Sequence, residues 1–532
     1  MICNPYAMFK YLIEKEEFQK FTHIWVIDDF EKNQDMIDVY KEYPNVRFVK
    51  FRTREYCKAL AVSQYLINNV SFPGYFLKRK EQIYLNTWHG TPMKNMGFDI
   101  PGANVTQGNT ARNLLSADYI LSSGSYMTEI AYKKSYKMKE RLFLFYKVDP
   151  AFIKTILLHS ALCRVPQGKK RKYLHILRKL QNQGVSVDEK KKVILYAPTW
   201  KGDKYSDPDM SLQDFYDVIK LAEKNIDTEK YQILVKPHQI VYHYMQQSKV
   251  DLGKEKEKFI PAVMDTNEIL SVTDVLISDY SSIFFDYLAT GRPILFYVPD
   301  LAEFQSYRGL YFRTEQLPGP VAASKEELGR ILHSMETFAQ QYAGKREEAR
   351  KSICPMDDGT VCSRIAETIF EGKESDHSIH WNKNETEKKK SVLIYAGDFR
   401  ENKEKEQLDD LLDKMDFEKY DITLIGDGAS QEDTADYLNA LPEQIRVLYW
   451  KPSYPATGEE YVRHMQFIKN NQKEVPAELE DFYRRELRRI LGMSKFDYAV
   501  ILTDIKRFFP AMVGIPEVKQ VFGTENWQEI IK

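Results

Sequence analysis

Short, β-rich apolar runs alternate with polar or amphipathic stretches along this chain, and that alternation restricts the fold more than any other feature. Residues 22–27, 46–51, 83–87 and 119–122 are such runs. A second series follows at 192–196, 232–235, 275–278 and 293–296, with 212–223 and 282–289 patterned as the helices between them. Continuous apolar runs suit strands buried on both faces, and strands that alternate with helices form a mostly parallel sheet. The expectation is an α/β chain with two tandem Rossmann-like units. The cleft between them would be lined by the carboxyl ends of the strands, where open α/β sheets bind ligands.

A polar, charged stretch at 371–390 closes the second series and reads as a linker. Runs at 392–396, 420–425, 445–449 and 498–502 then open a third Rossmann-like unit, too short to form a two-unit enzyme by itself. The expected organisation is a first unit at 1–185, a second at 186–372, a linker at 373–390 and a partial third unit at 391–532.

Composition removes several classes of function. Charged residues make up 29% of the chain but nearly cancel, at net −1, so no global basic field points to a nucleic-acid partner. The five cysteines, Cys3, Cys57, Cys163, Cys354 and Cys362, are scattered without C-x-x-C spacing. That pattern argues against a zinc site or a disulfide framework and for a reducing compartment. No apolar run reaches the ~18 residues of a membrane span, and the first ten residues lack the features of a signal peptide. The expectation is a soluble or peripheral protein of the cytoplasm. Residues 133–147 and 169–179 are locally basic, and the second stretch interleaves apolar residues. Such a helix can lie on an anionic membrane or present an ordinary solvated face.

Four clusters carry candidate chemistry. In the first, a strand runs into Thr-Trp-His-Gly-Thr-Pro at 87–92, where Gly90 and Pro92 set a tight path. His89 would sit at the strand's carboxyl end, where a neutral imidazole suits a general base for an alcohol. A histidine there can equally serve the turn by hydrogen bonding. In the second, Ala-Pro-Thr-Trp at 197–200 ends another strand and turns Thr199 toward the cleft, or simply buries a tryptophan. In the third, Lys236 and His238 end a further strand, as cationic or donor groups for a pyrophosphate. The fourth is Ser-Asp-Tyr-Ser-Ser at 278–282. Ser281 and Ser282 can cap the next helix and also offer hydroxyls and N–H groups to an anion. Asp286 follows about one turn later, placed to bind ribose hydroxyls.

These clusters, in this order, resemble the CDP-glycerol glycerophosphotransferase family of teichoic acid primases and polymerases and related capsule polymerases. The match runs from about Asn4 to Phe370 and is strongest at 87–99, 196–200, 236–238 and 278–282, with support at 307–311 and 357–359. The resemblance implies a GT-B-type fold: an acceptor-side unit at 1–185 and a CDP-donor unit at 186–372 facing a cleft. It implies CDP-glycerol or CDP-ribitol as donor and a lipid-linked polyol-phosphate or saccharide as acceptor. His89 matches the family's proposed base, His238 its second essential histidine, and Ser281 and Ser282 its phosphate-binding turn. Enzymes of this type usually need no bound metal, no cofactor is implied, and the CDP-polyol is a substrate.

The sequence departs from the family pattern in three places. It opens where the family has an earlier strand, so the first sheet is expected to lack one. The family's Gly-x-Pro-Arg-Asn-Asp turn before the second unit is replaced by the basic run within 141–184. The third unit resembles only the first half of a GT-B glycosyltransferase. The alternative readings are a GT-B glycosyltransferase using a nucleotide sugar and an inactive family member acting as an assembly subunit.

Overall fold

A computed structural model describes residues 3–138, 144–146, 167–200, 212–247, 253–307, 309–355, 360–373, 389–399, 402–427, 432–451, 453–470, 475–492, 494, 496–502 and 521–522. The run at 357–359, Arg308, Cys163, the basic residues 139–143 and most of the 373–390 stretch lie outside them.

Among the described residues the strands form four sheets, and every pairing is parallel. β1 (His23–Ile27) pairs with β2 (Val46–Lys50) alone. β3 (Tyr65–Asn68), β4 (Ile83–Asn86), β5 (Tyr119–Leu121) and β6 (Leu144–Tyr146) lie side by side in chain order. This corrects the expectation of one first sheet. The first two apolar runs pair with each other, and the 83–87 and 119–122 runs belong to a second sheet with the unanticipated β3.

The next sheet holds β7 (Lys192–Tyr196), β8 (Tyr231–Val235), β9 (Val275–Ser278), β10 (Ile294–Tyr297) and β11 (Val321–Ala322), in the order β11-β10-β9-β7-β8. β9 is buried along its whole length, which explains its unbroken Val-Leu-Ile run. The order reverses between β7 and β9, so the chain leaves those two strands in opposite directions and opens a crevice at their carboxyl ends. The last sheet comprises β12 (Lys390–Tyr395), β13 (Tyr420–Asp427), β14 (Arg446–Trp450), β15 (Tyr498–Ile501) and β16 (Val521–Phe522), in the order β14-β13-β12-β15-β16.

Two packing arrangements tie these sheets together. Helix Val361–Glu371, the last of the second unit, crosses back to the first. Val361, Ile365 and Ile369 recur every fourth residue and form one face of the helix. They pack with Met8 and Leu12 of helix Asn4–Ile13 and with Leu85 and Leu121. Gly372, at φ +67, then ends the helix in the left-handed conformation glycine tolerates best.

The third unit shares a continuous apolar core with the first. Trp88, Leu114, Leu115 and Tyr132 belong to the same cluster as Leu393, Trp450, Phe482 and Leu487. Buried donors reach across the same boundary. Arg112 Nη1 donates to Arg489 O at 3.0 Å, Lys137 Nζ to Ile445 O at 2.7 Å, and Asn104 Nδ2 to Leu438 O at 2.9 Å.

Candidate active site

The local path around His89 is set by its neighbours. β4 ends at Asn86, whose Oδ1 accepts from Trp88 N at 2.9 Å. Trp88 takes φ +51, a conformation that strains a residue with a bulky side chain. Asn4 helps hold it there: its Nδ2 donates to Thr87 O at 3.0 Å and to Trp88 O at 3.1 Å. The buried indole of Trp88 stacks on His89 with ring centroids 4.5 Å apart. Gly90 follows at φ +155.

His89 Nδ1 lies 2.8 Å from the backbone carbonyl of Asn69, just past β3. A carbonyl only accepts, so Nδ1 carries the proton and the neutral ring keeps its lone pair on Nε2. His89 opens to solvent on one side but is ringed by protein on the others. That desolvation holds its pKa below the ordinary histidine value, against the opposing pull of the Asn69 hydrogen bond. At neutral pH Nε2 is therefore available as a proton acceptor.

His238, beyond the end of β8, has the opposite polarity. Its Nδ1 accepts from Ile240 N at 3.3 Å, so the neutral ring carries its proton on Nε2. Desolvation and the nearby charge of Lys94 push its pKa down to about 4. His238 is thus a neutral donor, whereas His89 is a neutral acceptor.

The crevice between β7 and β9 is cross-tied by Asp279. Its buried carboxylate accepts from Thr199 N at 2.9 and 2.8 Å and from Ser281 N at 3.1 Å. This holds the loop after β7 to the loop after β9 and presents the Thr199 hydroxyl. Ser281 Oγ accepts from Ile283 N at 3.4 Å. Ser282 is the N-cap residue of helix Ile283–Leu288, yet its side chain makes no cap hydrogen bond. The expectation that both serines can cap therefore holds only for a long contact from Ser281. The backbone of Ser282, at φ −66 and ψ −9, is already helical, which is not the extended geometry in which a cap side chain turns back. The Ser282 hydroxyl instead faces the first unit, 3.5 Å from where a Cβ on Gly90 would stand.

The two units therefore meet at this site. Lys94 Nζ donates to Thr199 Oγ1 at 3.0 Å. Asn95 N donates to Gly309 O at 3.1 Å, and Tyr311 N to Met93 O at 2.9 Å. Tyr126 OH donates to Pro92 O at 2.8 Å, fixing the exit of the turn. His89, Gly90, Thr199, His238, Ser281 and Ser282 all belong to the loops that converge here.

Lys236 is placed differently. Its buried Nζ donates to Met264 O at 3.2 Å, and burial lowers its pKa to about 8 despite the carboxylate of Asp265. Asp286 is half-buried in helix Ile283–Leu288, one turn beyond Ser282.

Sequence reasoning missed Lys94, Asp279 and Asn4 as site residues. Lys94 and Asp279 stand inside the quoted motifs, so the motifs themselves were the available signal. Asn4 has none, because its contact spans more than eighty residues of chain.

Two Rossmann-like units facing a cleft, with a proton acceptor on one and hydroxyl and N–H donors on the other, define a GT-B-type group transferase. A family model described as CDP-glycerol:poly(glycerophosphate) glycerophosphotransferase matches residues 1–146 and 172–371. The chain belongs to that family. It is 29% identical over 383 residues to a teichoic acid poly(glycerol phosphate) polymerase of Bacillus spizizenii, covering 69% of this chain and 88% of the relative. It is 26% identical over 377 residues to a teichoic acid glycerol-phosphate transferase of Staphylococcus aureus, covering 69% and 89%. Among solved structures, the wall teichoic acid polymerase TagF superposes with a TM-score of 0.55 at 25% identity, covering 70% of this chain and 86% of that one.

Proposed function

We propose that this chain transfers glycerol phosphate from CDP-glycerol to a teichoic-acid acceptor, with His89 as general base. An acceptor hydroxyl gives its proton to His89 Nε2 as its oxygen attacks the donor's β-phosphorus. The new P–O bond forms while the bond from that phosphorus to the bridging oxygen breaks, and CMP leaves with the electron pair. Thr199, His238, Ser281 and Ser282 bind the pyrophosphate through hydroxyl and N–H groups. Lys236 keeps its ammonium on Met264 O rather than on the pyrophosphate, and Asp286 takes the donor's ribose. Fixed donors of this kind stabilise phosphoryl charge without reorganising during the reaction. The scheme routes no step through a metal or a cofactor.

The observation that carries this reading is a pair of opposite ring contacts at one cleft: His89 Nδ1 faces a carbonyl, which leaves the lone pair to Nε2, and His238 Nδ1 faces a backbone N–H, which leaves the proton to Nε2. Glycerol is favoured over ribitol because both relatives named above are glycerol-phosphate enzymes and match over most of their length.

The test is nucleotide release with a lipid-linked acceptor. CMP is expected from CDP-glycerol and little from CDP-ribitol. Release of UDP or GDP from a sugar nucleotide instead would favour the glycosyltransferase alternative. A folded sample that releases no nucleotide would favour the inactive-subunit alternative.

The reading places the enzyme at the cytoplasmic face of the membrane, on a lipid-linked polyol-phosphate or saccharide acceptor. No described helix is long and apolar enough to cross a membrane. Helix Gln167–Asn182 carries the basic stretch but turns Ile176, Leu177 and Leu180 into the protein core, so peripheral attachment rests on its charge alone. Binding to anionic vesicles is expected at low salt and should weaken as salt rises. Absence of binding at low salt would remove this part of the reading.

A further inference from the structure

We infer that Asn68 and Asn86, cross-strand partners at the carboxyl ends of β3 and β4, are positioning residues that hold the peptide carbonyl accepting from His89 Nδ1. This rests on the reading of His89 as general base and names two residues to which that reading gives no role.

The two asparagines stand opposite each other in the parallel β3–β4 pair. Thr87 N donates to Asn68 O at 2.8 Å, so the ladder continues up to the turn that carries His89. Beyond it β3 leads into Asn69 and Val70, and β4 leads into Thr87, Trp88 and His89. Val70 is 51% exposed, so apolar packing does little to hold the loop after β3. Hydrogen bonds must hold it instead.

Those bonds converge on one peptide unit. The Asn69 carbonyl lies 2.8 Å from His89 Nδ1. The N–H of the same peptide plane, on Val70, donates to Asn68 Oδ1 at 3.1 Å. A peptide is planar, so fixing its N–H aims its carbonyl. An acceptor on the N–H also polarises the unit and strengthens the carbonyl as an acceptor. The next carbonyl, Val70 O, accepts from Asn86 Nδ2 at 3.2 Å, while Asn86 Oδ1 accepts from Trp88 N at 2.9 Å. A backbone N–H only donates and a carbonyl only accepts, so these partners fix which way the Asn86 amide points. Asn86 is buried, and its Nδ2 also donates to the hydroxyl of the fully buried Tyr84 at 3.0 Å. One rigid amide thus pins the loop that bears the acceptor to the turn that bears the base.

The consequence for His89 is its tautomer. With the Asn69 carbonyl in place, Nδ1 keeps the proton and Nε2 keeps the lone pair. Without it, either ring nitrogen can carry the proton. Asn68 and Asn86 act on the reaction through His89.

The experiment measures CMP release and CDP-glycerol binding for Asn68→Ala, Asn86→Ala and Asn68→Asp, each alone and combined with His89→Ala. Asn68 is half-buried, so its alanine variant guards against a folding failure of Asn86→Ala. Both alanine variants are expected to lower kcat roughly tenfold to a hundredfold, the cost of misplacing a reacting group by about an ångström, with little change in CDP-glycerol affinity. Asn68→Asp keeps an acceptor for Val70 N and should retain most of the kcat. Burial lowers the His89 pKa and the Asn69 contact raises it, and among the described residues the ring touches that carbonyl and the uncharged Trp88 indole. Loss of the contact alone therefore moves the acid limb of kcat/KM to lower pH, whereas a turn opened to water moves it up toward 6.5. In the His89→Ala background neither alanine variant should cost anything further. Further loss in that background, an upward shift of the acid limb, or wild-type kcat in a folded Asn68→Ala would overturn the inference and leave the base reading standing. Wild-type kcat in His89→Ala alone, or no CMP release from the wild type, would overturn the base reading, and this inference with it.

Discussion

Replacing His89 with alanine is expected to lower kcat by about 10²–10⁴, the usual contribution of a positioned general base, while CDP-glycerol affinity changes little. The argument is positional. Asn69 O holds the Nδ1 proton, so the ring has one defined role for Nε2. The side chain is open to solvent on one face, so its removal leaves no buried cavity, and a folding defect would not explain the loss. Single-turnover CMP release beside a binding titration separates the two effects. The pH dependence follows with a definite sign. The base works only when neutral, and desolvation lowers its pKa from the ordinary 6.5. Activity is therefore retained through neutral pH and falls as pH drops through the lowered value, so the acid limb of kcat/KM lies below 6.5. That limb should be absent from the residual activity of the alanine variant. A variant that keeps wild-type kcat, or an acid limb at or above the ordinary histidine value, would remove His89 from the role.

Much of this site is visible in the sequence because it stands at the ends of buried parallel strands. Val275–Ser278 and Lys192–Tyr196 are recognisable as continuous apolar runs, and the polar residues that follow each run must lie at the carboxyl ends of the strands. What the sequence does not carry is the order of strands within a sheet. That Thr199 and Asp279 are hydrogen-bonded depends on β7 and β9 being neighbours, and no local pattern encodes that. Lys94 reads as one more charged residue until Leu310 is seen beside it. β3 escapes notice for a different reason. Its four residues, Tyr-Leu-Ile-Asn, follow helix Arg54–Val62 after only two connecting residues, so its apolar pattern merges with that of the helix. The third unit is legible as a Rossmann-like series, but its attachment is not. Arg112 and Arg489 look like exposed helical charges in sequence, whereas both are buried in the joint between two sheets.

That joint yields the second large effect. Glu486→Ala is expected to destabilise the protein by about 3–5 kcal/mol, the cost of removing one partner from a buried ion pair. Glu486 is fully buried and accepts from Arg489 Nη2 at 2.6 Å, Arg489 Nε at 2.8 Å and Trp450 Nε1 at 2.8 Å. Without it, the Arg489 guanidinium stays buried with only the carbonyls of Gly74 and Lys451 as acceptors among these contacts. Gly74 belongs to the first unit and Lys451 to the third, so the misplaced arginine disturbs both. Trp88, which stacks on His89, is in the same apolar core as Trp450. Loss of the third unit's packing should therefore reach the catalytic turn, and transferase activity and folded structure should fall together as denaturant rises. Urea unfolding followed by fluorescence and by CMP release checks this: one shared transition, shifted to lower urea in Glu486→Ala, is expected. Separate transitions, with activity surviving the unfolding of the third unit, would mean that the shared core does not couple the two. Glu486→Gln gives a graded control, since it preserves an acceptor for Trp450 while removing the charge that neutralises Arg489.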